Sequence, residues 1–130
     1  MPGERDLTTL LSHLQPSLMP GVYVFCSVDH DVAPMTDVQP LATVQEPEGL
    51  TMVLLVDDAE RFGLSFHGRF RCIRLEVHSS LEAVGLTAKV ATALAEHDIS
   101  ANMLAGAYHD HVLVPQDRAI DAIRQLQSIG

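Results

Sequence analysis

Basic residues are scarce in this 130-residue chain: eight Lys and Arg stand against seventeen Asp and Glu, a formal charge of −9 with histidines neutral. Nucleic acids and anionic membranes both call for a basic surface, so neither is expected as a partner. Cysteine is nearly absent too. Cys26 and Cys72 are the only two, both inside strand-like apolar stretches, and they read as buried, reduced thiols and not as a disulfide or metal pair. No apolar run approaches the ~20 residues of a membrane span, and no leader with a basic start and a long apolar core precedes residue 20. A cytoplasmic location is the expectation from these absences. A phosphate-cradling glycine loop, a nucleophile elbow and an HExxH helix are also missing, so the chain is expected not to be an enzyme and to need no cofactor. What is present, 47% apolar residues with 19% charged, suffices for a packed core in one ordinary domain or two very small modules.

The acidic excess is uneven. Residues 1–65 hold ten acids and two bases, residues 66–130 seven acids and six bases, so the halves carry −8 and −1. A better solvated first half accounts for that split. Leu7, Leu10, Leu11 and Leu14, at i, i+3, i+4 and i+7, predict a short amphipathic helix with Asp6 as N-cap, stopped by Pro16. Residues 22–28, β-branched and aromatic, predict a strand ended by Asp29-His30-Asp31, a solvated loop. After a loop through Pro34 and Pro40, residues 41–45 and 50–56 predict a hairpin across Glu46-Pro47-Glu48-Gly49. The unbroken run Met52-Val53-Leu54-Leu55-Val56 marks a central strand covered on both faces. Residues 57–63 read as two helical turns, and a seam falls near Phe66-His67-Gly68.

In the second half, residues 70–78 set Ile73, Leu75 and Val77 against Cys72, Arg74, Glu76 and His78, the pattern of a strand buried on one side only. Residues 85–97 place Leu86, Val90, Ala93, Leu94 and His97 on one helical stripe, with His97 structural near the helix C-terminus. Residues 101–107 read as a strand, Tyr108-His109-Asp110 as a turn and residues 111–114 as a strand. A last helix after Pro115 is expected to bury Ile120, Ile123 and Leu126. This order lacks one strand of the ferredoxin-like β-α-β-β-α-β unit. Because an open edge invites pairing, residues 22–28, residues 51–56 or another subunit are expected to fill it.

Ser79-Ser80-Leu81-Glu82-Ala83-Val84-Gly85-Leu86 lies between a strand and a helix, where hydroxyls and backbone N–H groups meet a carboxylate. Ser79-x-x-Glu82 equally fits a capping box, and spacing alone favours the cap. Tyr108-His109-Asp110-His111 puts two imidazoles on one strand face with Asp110 turned the other way. A metal or small enzyme site centred on His109, Asp110 and His111 is the alternative there; the simplest reading is a polar turn in which Asp110 caps its own backbone. Asn102 either reaches a ligand amide or satisfies a backbone group.

The stretch Leu75-Glu76-Val77-His78-Ser79-Ser80-Leu81-Glu82-Ala83-Val84-Gly85-Leu86-Thr87, continuing to Ser100, resembles the start of an ACT domain. Tyr108-His109-Asp110-His111-x-x-x-Pro115 and Gly21-x-Tyr23-Val24-Phe25-Cys26 resemble a bacterial family of small tandem ACT-like proteins of unestablished activity, over nearly the whole chain. The resemblance implies an α+β fold: a ferredoxin-like (ACT-like) antiparallel sheet with helices on one face, in two tandem modules, the first reduced (residues 1–66) and the second over residues 67–130. It also implies a regulatory or sensor protein that binds a small molecule, such as an amino acid, at a module or subunit interface of a homodimer. Gly85 matches the glycine that lets backbone approach the ligand, while the acidic residue usual a few positions earlier is replaced by Ser79-Ser80, with Glu82 nearby. The expected ligand contacts are backbone at Val84, Gly85 and Leu86, hydroxyls at Ser79, Ser80 and Thr87, and Asn102, His109 and Asp110 at the ligand's polar end, with no metal. A ligand-free interaction module is a further alternative.

Overall fold

In chain order the elements are helix α1 (Leu7–Ser12), strands β1 (Pro16–Leu18), β2 (Tyr23–Val28), β3 (Ala42–Glu46) and β4 (Gly49–Leu55), helix α2 (Val56–Arg61), strand β5 (Phe70–Leu75), helix α3 (Leu86–Ala95), strands β6 (Asn102–Ala105) and β7 (Asp110–Pro115), a 3-10 turn (Gln116–Arg118) and helix α4 (Ala119–Gln127). The structure, a computed structural model, describes residues 3–31 and 37–129. They form two units, one of residues 1–20 with 71–130 and the other of residues 21–70.

The first unit begins as its sequence predicts. Asp6 Oδ2 accepts from the Thr9 backbone N–H at 3.0 Å and from Thr9 Oγ1 at 2.9 Å, capping α1 and holding the Asp6 carboxyl below the usual range. Beyond α1, Gln15 takes φ +49°, a left-handed conformation uncommon outside glycine, and the chain enters β1. Pro16, Ser17 and Leu18 then pair antiparallel with Leu75, Arg74 and Ile73, giving the strand order β1-β5-β7-β6. Pro16–Leu18 therefore fill the edge along Ile73–Leu75; of the expected residues 22–28, Tyr23 pairs with Phe70 at the start of β5, while residues 51–56 pair with β2 and β3 instead. A three-residue strand is too short to show alternation, and its proline fits a strand bonded along one side.

One buried cluster unites Ile73 and Leu75 of β5, Val112 and Val114 of β7, Leu10 of α1, Val90 and Leu94 of α3, and Ala122 and Leu126 of α4. All three helices thus cover the same face of the sheet, as expected. Three details differ from the expected pattern. Cys72, on the opposite face of β5, is fully buried, and burial pushes its thiol up to about 11, so this strand is covered on more than one side. Helix α4 starts only at Ala119, after the 3-10 turn, which puts Ala119, Ala122 and Leu126 inward and leaves Ile120 58% exposed. Helix α3 ends at Ala95, so His97 is exposed and off the buried stripe; its backbone carbonyl accepts from Arg118 Nη2 at 3.0 Å.

In the second unit the strand order is β3-β4-β2, antiparallel throughout, with Phe70 pairing Tyr23 beyond it. The hairpin closes through Glu46↔Gly49 across Pro47-Glu48. Central β4 buries Met52, Val53 and Leu54 in succession, as its run without alternation predicts, while Leu55 of that run is 38% exposed. Val56 and Ala59 of α2 pack on Val24, Cys26, Met52 and Leu54. The Pro34 part of the expected loop lies outside the described residues. Cys26 and Cys72 are both buried and free, and among the described residues no helix is long and apolar enough to cross a membrane.

Candidate functional site

Residues 76–85 run from β5 to α3 without regular structure, and the N-terminal segment fastens them. The Glu4 N–H donates to the His78 carbonyl at 2.8 Å, and the Ser80 N–H donates to the Glu4 carbonyl at 2.8 Å. Gly3 lies so close that a Cβ there would come within 2.6 Å of the Ser79 carbonyl carbon. Arg5 and Glu82 face each other at 3.7 Å, but both are exposed and add little. No pattern in the sequence signals this strap, since its contacts are mostly backbone.

Inside the crossing, Ser80 Oγ accepts from the Glu82 N–H at 3.0 Å and the Ser80 carbonyl from the Ala83 N–H at 3.1 Å. The chain so tightened reaches Gly85, whose φ of +100° favours glycine. Gly85 is the N-cap of α3 and no side chain caps the helix, which overturns the capping box of Ser79 and Glu82. The helix starts at Leu86, beyond the reach of Ser79, and the backbone N–H groups of Leu86 and Thr87 have no intrahelical acceptor.

Ser79, 5% exposed, donates instead to Asp110 Oδ2 at 2.8 Å. Asp110 opens β7 opposite Ala105, and the turn before it is closed by the Gly106 N–H donating to the His109 carbonyl at 2.9 Å. Asp110 is thus a strand residue bonded to a distant hydroxyl and not the self-capping tip of a turn. Ser80, Gly85, Leu86, Thr87 and Asp110 of the expected set, joined by Leu81, Ala83 and Ala105, wall a cavity of about 160 Å³. The last three have no chemical signature in the sequence; Ala105 is placed by its pairing with Asp110. Ser79 sits behind the wall. Val84, 83% exposed, Asn102, exposed at the start of β6, and His109, with Nδ1 3.5 Å from the Val77 carbonyl, lie outside it.

Next to Asp110 in β7, burial pushes the His111 imidazole down against a hydrogen bond with the Leu104 backbone. Arg74 bonds Glu76 at 2.9 Å and keeps its carboxyl low. Among the described residues no three His, Cys, Asp or Glu side chains gather to hold a metal; Asp110 turns to Ser79 while His109 turns to Val77. A second cavity of about 290 Å³ lies among Leu11, Leu14, Gln15, Pro16, Leu126 and Gln127, with no ionisable group in its wall.

ACT-domain models match residues 2–71 and residues 68–128. No curated protein matches the chain. Among solved structures, a Vibrio cholerae protein of unknown function is 48% identical, with 95% of this chain and 94% of that one covered and a TM-score of 0.83. An Agrobacterium tumefaciens protein is 16% identical over 88% and 87% of the two chains, with a TM-score of 0.74. The ligand-free regulatory subunit of aspartate kinase from Thermus thermophilus is 10% identical over 91% and 98%, with a TM-score of 0.70; at such identities the likeness is one of fold. With helices on one face of an antiparallel sheet and family matches that together reach from residue 2 to residue 128, the chain belongs to the ACT-domain family.

Proposed function

We propose that the protein is a regulatory module that binds a small amino acid and acts by binding, not catalysis. The observation that carries this reading is the cavity where the Gly85 backbone, the free N–H groups opening α3, the hydroxyls of Ser80 and Thr87 and the Asp110 carboxylate converge. Its volume is that of about five water molecules, well below the roughly 300–1,000 Å³ of pockets for drug-sized ligands. A small zwitterion fits both the size and the mixture of donors and acceptor. The proposed contacts are Ser80, Gly85, Leu86, Thr87 and Asp110, with Ser79 behind them. Exposed Leu81 and Val84 beside the mouth and Tyr108 in the turn before Asp110 form an apolar rim that a second copy of the chain covers, making the ligand site part of a homodimer interface. Two free buried cysteines suit a cytoplasmic setting.

A thermal-shift screen of the intact chain against the twenty standard amino acids tests the reading. A ligand at a hundred times its Kd adds about 2.7 kcal/mol, a rise of several degrees in Tm. Thr87→Val, exposed in the first turn of α3, is expected to weaken that rise with the unliganded Tm unchanged. A flat response of the wild type across the panel would contradict amino-acid binding and favour a ligand-free interaction module.

A further inference from the structure

Ser79 is the one polar side chain among the described residues that is buried as completely as the core. A buried hydroxyl is costly unless bonded, and this one is spent wholly on Asp110 Oδ2, at 2.8 Å. Asp110 is half-buried and lines the cavity, yet among the described residues no Lys or Arg pairs with it. A partly desolvated carboxylate, held in one orientation and without a Lys or Arg partner, though adjacent to the His111 imidazole, is a receptor for a cationic group. The wall also includes Leu86 and Thr87, whose backbone N–H groups open α3 without an intrahelical acceptor and suit the other end of a zwitterion.

We propose that Asp110 is the specificity-determining residue of the cavity, accepting the protonated amine of the ligand, and that Ser79 is a positioning residue that fixes the Asp110 carboxylate for that contact. The inference rests on the amino-acid reading above. It adds that the site requires a free ammonium group and rejects counterparts whose amine is acylated.

The experiment measures Kd by calorimetry for each standard amino acid that raises the Tm of the intact chain, and for its N-acetyl derivative. In the wild type the free form is expected to bind at least about tenfold tighter, the scale of a hydrogen bond to a charged group. Asp110→Asn brings that ratio to about one, Ser79→Ala lowers it severalfold, and Ser79→Thr, which keeps the hydroxyl, restores it. A merely structural role for Ser79 would weaken both forms alike and leave the ratio unchanged. N-acetyl derivatives binding as tightly as free amino acids, an unaltered ratio in Asp110→Asn, or magnesium chloride alone giving the same Asp110-dependent Tm rise would each overturn the proposal while the amino-acid reading stands. No binding of any free amino acid would remove both.

Discussion

Leu10→Ala tests whether the N-terminal helix is part of the unit that holds the cavity. Leu10 is fully buried against residues of β5, β7, α3 and α4. Removing three carbons costs about 2.4 kcal/mol at about 0.8 kcal/mol per methylene, and the void left behind raises the loss to about 3 kcal/mol. For a chain of this size that corresponds to a fall in Tm of roughly 10 °C. Urea denaturation followed by far-ultraviolet circular dichroism gives the value directly, with Val44→Ala as a control, since Val44 is 49% exposed and its change should stay within about 0.5 kcal/mol. A loss below about 1 kcal/mol for Leu10→Ala would mean that α1 is not packed in this core and would refute the placement of residues 7–18 in the first unit.

The strap is tested by Gly3→Val, whose Cβ would press on Ser79 and Ser80 backbone at 2.6 and 2.7 Å; the hydrogen bonds of Glu4 should open, and exchange of the Ser80 amide, measured by NMR, should speed up about tenfold or more. Unchanged protection of Ser80 would contradict the contact. The His111 imidazole, lowered by burial from 6.5, takes up its proton more readily in the unfolded chain. Its contribution to stability is therefore complete above about pH 6.5 and declines as pH falls through the window below that value. Urea midpoints at pH 7.5 and pH 5.0 should show a smaller acid loss in His111→Gln than in the wild type, and equal losses would contradict the sign.

What the sequence made legible follows physical lines. The β3–β4 hairpin, central β4 and the α3 stripe through Leu86, Val90 and Leu94 were readable because periodicity over several residues averages out local exceptions. Gly85 was picked out through the resemblance to ACT domains, and its φ of +100° supplies the physical reason for a glycine there. Strand β1 was not, since three residues cannot display a period and the left-handed Gln15 before it has no compositional mark. Ser79 was misassigned as a cap because local spacing is blind to an acceptor 31 residues away. That pairing exists only once β6 and β7 are in register and Ala105 faces Asp110. The cavity was thus visible in part: Ser80, Gly85, Leu86, Thr87 and Asp110 were named, while the bond from Ser79 to Asp110 and the lining by Leu81, Ala83 and Ala105 arise only through tertiary structure.

The central claim is that small amino acids occupy the cavity walled by Gly85, Thr87 and Asp110. Titrating the intact, isotopically labelled chain with the amino acid that most raises its Tm, and following backbone amide shifts by NMR, tests this most directly. Saturable changes concentrated at Ser80, Gly85, Leu86, Thr87, Ala105 and Asp110 are expected. Changes concentrated instead around Leu11, Gln15 and Leu126 at the second cavity, or no saturable change at all, would contradict it.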